Sequence, residues 1–317
     1  MRIIVTGAAG CLGTELCLQL RARGDAVLGV DNLSRYELLG EDGPRKQSAN
    51  AEALRAAGVE FEKDDFVDAL GADRIYAYDA VVHAAAQVCH SRKGGKDDPF
   101  DDVRINVMGT LQLLDRTQSA GKPLLFIGSS KVYGENFDRM NALQAFNGID
   151  ESCPLGDQTH ITFFGASKAA ADLFCQMYAK KYGMAVGVFR PGCFTGRYAL
   201  ATEAQNWLPW LAHCAREGKV FRAFGDGKQV RDLLHASDLA RACIMWLNAP
   251  RPGVWNLGGG RSTAFTLYES IERVEKLVGK HVNVGYHPAR AGDIRRLVLD
   301  STRFVREYDW APLYDVN

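Results

Sequence analysis

The sequence of 317 residues has no charge of either sign to spare: 38 lysines and arginines stand against 38 aspartates and glutamates. A balanced chain exerts no general pull on nucleic acid or on an anionic membrane, so any anion it binds must be held by locally placed groups. There is no apolar run of the roughly 20 residues a membrane helix needs. No leader is expected either, because the first residues go directly into a strand. These absences argue against a nucleic-acid or membrane partner and predict a cytoplasmic protein. The eight cysteines are scattered, with no C-x-x-C and no paired Cys/His spacing, so neither a disulfide framework nor a metal site is expected. Cys11, Cys17, Cys175 and Cys243 fall in apolar helical patterns and read as small buried hydrophobes. Internal repeats and low-complexity linkers are also missing.

What is present begins at the N-terminus. Arg2 to Thr6 reads as a buried strand and leads into Gly7-Ala8-Ala9-Gly10-Cys11-Leu12-Gly13. A helix with Leu12, Leu16 and Leu20 on one face follows, then a strand from Ala26 to Val30 closed by Asp31. Strand, glycine turn, helix, strand and acid form a dinucleotide fingerprint: backbone approaches a pyrophosphate at the helix start, and the acid takes ribose hydroxyls. A carboxylate there repels a 2′-phosphate, which favours NAD over NADP; Arg35, close by, tempers that preference.

Further strands are expected at Val59–Glu62 (followed by Asp64-Asp65), Asp79–His83, Leu124–Ile127 and Met184–Phe189. Helices fall between them. The segment from Phe100 to Ser119 carries a stripe of Val103, Val107, Leu111 and Leu114, suited to a core or a dimer face. The small residues Ala84, Ala85 and Ala86 at a strand end permit close cofactor approach. This βαβ rhythm predicts an α/β fold, a doubly wound parallel Rossmann sheet, with residues 1–190 as the NAD-binding domain. Residues 191–317 read as a smaller mixed α/β substrate lobe, parts of which return to the first domain. Within it a helix starts near Trp207, Trp210 and Leu211, and Val220–Phe224 is a strand. Ser237 caps a helix from Asp238 to Asn248, Val254–Leu257 and Val282–Tyr286 are strands, and Leu267–Val278 is a helix.

The chemistry centres on Thr162-Phe163-Phe164-Gly165-Ala166-Ser167-Lys168, at the head of a helix running on from Ala169 to Tyr182. It resembles the Tyr-x-x-x-Lys turn of a nicotinamide-dependent dehydrogenase with phenylalanine at the tyrosine position. Positions 164 and 168 share a helix face. A tyrosine at 164 would have an ammonium one turn away, which favours the phenolate and makes a base of it. Phenylalanine cannot ionise.

Taken together, these motifs resemble the extended short-chain dehydrogenase/reductases of the nucleotide-sugar epimerase and dehydratase group. The carriers are Thr6 to Gly13, Asp31-Asn32-Leu33-Ser34, Ile105-Asn106-Val107-Met108-Gly109-Thr110, Ser129-Ser130-Lys131-Val132-Tyr133-Gly134, and Phe164 to Lys168. Within the group the nearest likeness is to CDP-paratose/CDP-tyvelose 2-epimerases. That rests on Lys131 to Gly134, on Ala201-Thr202-Glu203-Ala204-Gln205-Asn206-Trp207 with Trp210, and on Gly225 to Asp232.

The resemblance implies roles. Ser129 would bond the reacting sugar oxygen, Lys168 would grip the nicotinamide ribose, and Asn106 would support the active-site helix, unless it is satisfied locally. NAD would be held by Gly7, Gly10, Cys11, Leu12, Gly13, Asp31, Asn32, Arg35, Asp65, Phe66, Ala84, Ala85, Ala86, Lys168 and Pro191. A CDP- or UDP-sugar would meet Gln87, Ser129, Ser130, Tyr133, Cys193, Gln205 and Trp207. Arg231, with Arg290 and Asp293 of the Arg290-Ala291-Gly292-Asp293 segment, would clamp its nucleotide, since a guanidinium grips a diphosphate bidentately.

Departures from the family pattern are Pro191-Gly192-Cys193, where a small polar residue is common, and an end soon after Trp310-Ala311-Pro312, where relatives continue into a helix. Cys193 reads as a packing residue or a thiol facing the sugar, and His83 as structural. Ser130-Lys131 stands where many hexose dehydratases have Asp-Glu. The leading expectation is an NAD-dependent nucleotide-sugar epimerase working through a keto sugar, its base displaced naturally or removed by an engineered Tyr→Phe change. A dehydratase or decarboxylase, and a non-catalytic NAD- and sugar-nucleotide-binding protein, are the alternatives. The family habit and two striped helices also imply a homodimer.

Overall fold

The computed structural model describes residues 1–35, 46–88, 98–139, 148–156, 161–203, 205–290 and 293–314. Ala204, Ala291 and Gly292 of the motifs above lie outside the described residues.

The first half supplies strands β1 (Arg2–Thr6), β2 (Ala26–Val30), β3 (Glu60–Glu62), β4 (Ala80–His83), β5 (Leu124–Ile127) and β6 (Val186–Pro191). Its long helices are α1 (Cys11–Ala22), α2 (Gln47–Ala56), α3 (Thr110–Ser119) and α4 (Phe163–Tyr182). From the second half come β7 (Cys193–Thr195), α5 (Trp207–Glu217), β8 (Phe221–Phe224), β9 (Val230–His235), α6 (Ala236–Asn248) and β10 (Gly253–Leu257). Then follow β11 (Ala264–Thr266), α7 (Leu267–Val278), β12 (Val284–His287), β13 (Arg296–Leu297) and α8 (Thr302–Tyr308).

The main sheet has seven strands in the order β10-β6-β5-β4-β1-β2-β3, with every pairing parallel. Strands buried on both faces need apolar residues throughout, and Ile3, Ile4, Val5, Val81, Val82, Leu124, Leu125 and Phe126 are all fully buried. The order reverses direction between β1 and β4, and open α/β sheets bind ligands at the carboxyl ends of strands around such a switch. One strand from the second half, β10, closes the sheet against β6. Outside that sheet, β9 carries Arg231 and is bordered by β7, β11 and β13, while β8 and β12 form a two-stranded ribbon.

Three local expectations change. Residues Asp102–Gly109 are wound as a π-helix, so the buried positions become Asp102, Asn106 and Gly109. An i→i+5 winding shifts the phase of an α-helical stripe; of the four expected residues Leu114 is buried, whereas Val103 is 50% exposed. Ser237 does not cap α6. The His235 ring accepts from the Ser237 amide at 3.2 Å, and Ser237 Oγ instead accepts from Gln19 at 2.7 Å. Cys11, expected in the core, is only half-buried, unlike Cys17, Cys175 and Cys243.

Candidate active site

The carboxyl ends of β1, β4, β5 and β6 open into a cleft of about 450 Å³. Gly7 turns the chain with φ +67°, and a Cβ there would stand 2.6 Å from the Ala85 nitrogen. At Gly13 a Cβ would overlap the Gly7 carbonyl oxygen. Glycine is therefore required at both places for α1 and β4 to close on the turn. No side chain caps α1 at Gly10, so its first amides stay available to an anion. Across the cleft Asp31 accepts from the amides of Ala9 and Leu33 and from Gln47 Nε2, each at 2.9 Å. Those three bonds leave carboxylate lone-pair sites free. Burial raises its pKa, opposed by the two amides and by Arg35. The Arg35 guanidinium is tied back to the Leu200 carbonyl at 2.7 Å. These groups fit the adenosine half of a dinucleotide: small residues beneath a pyrophosphate, helix amides beside it, and an acid for the ribose.

At the other end, α4 begins where Thr162 Oγ1 accepts from the Gly165 amide at 3.0 Å. A Cβ at Gly165 would come within 2.7 Å of the Lys131 carbonyl oxygen, so this glycine lets the helix start press directly on the loop after β5. That approach brings Ser129, Lys131, Phe164 and Lys168 to one wall of the cleft. Phe164 is 7% exposed. Lys168 Nζ donates to the Ile127 carbonyl at 2.8 Å and lies 4.5 Å from the centre of the Phe126 ring. Burial pushes the Lys168 pKa down to about 8.

Nearly all the expected site residues line this cleft; Asn106 and Tyr133 do not. Asn106 lies behind it: Oδ1 accepts from the Gln87 amide at 2.9 Å, and Nδ2 donates to the Gln87 carbonyl and to Ser167 Oγ, both at 3.0 Å. It thus ties α4 to the end of β4, beside a longer local bond from Nδ2 to Asp102 Oδ1 at 3.4 Å. Tyr133 is fully buried; its hydroxyl donates to Asn256 Oδ1 at 2.7 Å and accepts from Arg190 at 2.9 Å. The chain turns through a 3-10 segment after Ser130, which sends Val132 and Tyr133 into a small core with Ile149 and Leu299. Substrate contact by Tyr133 is therefore corrected. Buried His83 is held between Thr6 and Thr110 hydroxyls at 2.7 and 3.0 Å, and burial with nearby Lys168 pushes its pKa down to about 3, so it stays neutral.

Cys193 lines the cleft, and burial pushes its thiol up despite Arg231, Lys131 and a hydrogen bond from Trp207. Arg231, 8% exposed, donates to Asp293 at 2.5 Å and to the Val230 carbonyl at 2.8 Å. The Arg290 guanidinium lies 3.7 Å from the Phe224 ring centre. Both arginines, with Asp293, Glu203 and Trp207, also line an adjoining pocket of about 140 Å³ with Phe221, Phe224 and Gln229. The cleft therefore continues from the helix start of α1, past Phe164, to an aromatic recess flanked by two guanidinium groups. Sequence reasoning did not assign Gln47, Glu203 or Lys131 to the site. Lys131 was legible, since it follows Ser129 and Ser130 directly.

The chain matches the NAD dependent epimerase/dehydratase family over residues 3–258. It is 30% identical over 334 residues to the CDP-paratose 2-epimerase of Salmonella typhi, covering 98% of this chain and 95% of that protein. Its fold superposes with a TM-score of 0.79 on the UDP-glucose 4-epimerase of Thermus thermophilus in complex with NAD, at 27% identity over 99% of this chain and 94% of the other. With UDP-glucuronic acid 4-epimerase from Bacillus cereus, in complex with UDP-glucuronic acid and NAD, the TM-score is 0.84 at 22% identity, over 99% and 95% of the two chains.

Proposed function

The chain belongs to the NAD dependent epimerase/dehydratase family, and from that premise we propose that it is a nucleotide-sugar epimerase whose base position is silenced by Phe164. The carrying observation is a single cleft that joins a dinucleotide cradle, Ser129, Phe164 and Lys168 to a paired-arginine recess. The cofactor is NAD, which supplies a hydride acceptor and donor at the sugar carbon. Gly7, Gly10 and Gly13 would let it approach the backbone, Asp31 would take the adenosine ribose, and Lys168 the nicotinamide ribose. Ser129 would donate to the reacting sugar oxygen. Residues 1–190 act in this reading as the cofactor half and 191–317 as the substrate half.

A CDP- or UDP-sugar would cross between the halves, its base in the recess by Phe224 and its diphosphate beside Arg231 and Arg290. The Arg231–Asp293 pair is already formed, so the guanidinium is oriented before the ligand arrives. Arg231→Ala is expected to weaken UDP or CDP binding by about 1.5–3 kcal/mol. The more exposed Arg290 should contribute less. Calorimetric affinities unchanged in both variants would contradict the clamp.

Asp31 gives a second expectation. NAD should bind more tightly than NADP, because the 2′-phosphate would sit against a buried carboxylate. Asp31→Ala should narrow the gap; equal affinities in the unaltered protein would overturn the assignment.

The protein is further proposed to be a homodimer. Phe100, Val103 and Met108 are 84, 50 and 48% exposed, and Leu173, Phe174 and Met177 on adjacent α4 are 52, 40 and 53% exposed. Two neighbouring helices with uncovered apolar faces suit a four-helix interface about a two-fold axis. Light scattering at micromolar concentration should give twice the chain mass, and a monomer would refute it. The dehydratase reading is weakened by Ser130-Lys131, and the non-catalytic reading is separated by turnover.

A further inference from the structure

We propose that Lys131 Nζ is the group that takes and returns the sugar hydroxyl proton in this chain, a role that rests on the nucleotide-sugar reading above. The groups around Ser129 that could hold a proton are few. Phe164 has none, and Ser129 is an unassisted hydroxyl whose oxygen already accepts from the Lys131 amide at 3.2 Å. The Cys193 thiol is held protonated by burial. Burial lowers the Lys168 pKa to about 8, but its Nζ is engaged by the Ile127 carbonyl and lies over the Phe126 ring, contacts that favour the ammonium.

Lys131 differs in each respect. Its backbone abuts the start of α4, where Gly165 leaves room for the carbonyl, and Lys131 and Phe164 line the same cleft. Its side chain lines the cleft and faces Arg231, Asp293 and Cys193. Among the described residues nothing accepts a hydrogen bond from its Nζ, and the Asp293 carboxylate it faces is committed to Arg231. Burial, reinforced by the Arg231 charge and opposed by Asp293 and Cys193, holds its pKa below the ordinary lysine range. An amine with no hydrogen-bonded counter-ion that faces a guanidinium gives up its proton more readily than an ordinary lysine, which favours the form that accepts one. In the step itself the sugar O–H bond breaks and an N–H bond forms on Lys131. With NAD bound as the hydride acceptor, the electron pair of the adjacent C–H bond would leave with its hydrogen, and a ketone would remain. The ammonium gives the proton back when that pair returns.

The test is the pH dependence of reductive methylation at Lys131 in the full chain loaded with NAD, read by peptide mass spectrometry against exposed Lys181. Lys131 is expected to become reactive at lower pH than Lys181, and UDP-glucose or CDP-glucose should protect it better than UDP or CDP. Reactivity like that of Lys181, or protection complete with the nucleoside diphosphates alone, would overturn the proposal; the second result would make Lys131 a phosphate ligand. Lys131→Met should lower residual turnover on the order of 10²–10⁴-fold in the Phe164 protein. In a Phe164→Tyr background the same change should have little effect, because the phenol then carries the proton. Equal losses in both backgrounds would point to a structural role and also overturn it. If the protein binds neither NAD nor a sugar nucleotide, the reading beneath the proposal fails first, and the proposal falls with it.

Discussion

Phe164→Tyr is expected to raise epimerase turnover by at least about two decades while leaving sugar-nucleotide affinity nearly unchanged. The substitution adds one hydroxyl to a ring that is already packed against the cleft, one helical turn from Lys168. A positioned acid/base contributes on the order of 10²–10⁴ in rate. Its gain falls in the transition state, so kcat should rise with little movement in KM. The buried Lys168 ammonium would draw the phenol toward its ionised form. Turnover that is ordinary in the unaltered protein and no faster in Phe164→Tyr would place the proton-transfer group elsewhere than position 164.

The second large effect concerns folding. Asp172→Ala should destabilise the protein by about 3–5 kcal/mol, the usual result of stripping one partner from a buried ion pair. Asp172 on α4 accepts from Arg190 on β6 through two bonds, at 2.7 and 3.1 Å, with side chains 0 and 4% exposed. Arg190 also donates to Tyr133, which reaches Asn256 on β10. Removing the carboxylate leaves a buried guanidinium without its counter-charge, against a total stability of roughly 5–15 kcal/mol for a domain. Asp172→Asn, which keeps an acceptor, should lose less. Urea denaturation measures the difference, and an unchanged midpoint for Asp172→Ala would contradict this account.

The pair also explains which parts of the site were legible in the sequence. The glycine turn, Asp31 and the Phe164/Lys168 spacing are local, because their chemistry is written within a few residues or one helical turn. Tyr133 was misplaced since its partner, Asn256, lies 123 residues away and nothing near 133 shows that the chain turns inward. The π-winding of Asp102–Gly109 was hidden for a similar reason. Asn106 bonds Gln87 and Ser167, respectively 19 and 61 residues away, and no periodicity within the segment records those contacts. Strand β9 went unread although Arg231 was assigned: Val230-Arg231-Asp232-Leu233-Leu234-His235 alternates poorly, because Asp232 and Arg231 are both buried. Asp232 accepts from the Leu299 amide at 3.0 Å, and burial lifts its pKa to about 7, a tertiary arrangement that composition does not reveal. Lys131 was visible throughout but was read as a family signature, and only the tertiary approach of Gly165 to its backbone puts it on the cleft that the silent ring lines.

The central claim is that this cleft binds NAD and a nucleotide sugar together while lacking the usual base. Equilibrium dialysis of UDP-glucose and CDP-glucose against the NAD-saturated protein tests it most directly. The account predicts saturable binding of at least one of them at one site per chain, weakened in Arg231→Ala and preserved in Phe164→Tyr. No binding of either sugar nucleotide, or binding indifferent to Arg231, would contradict it.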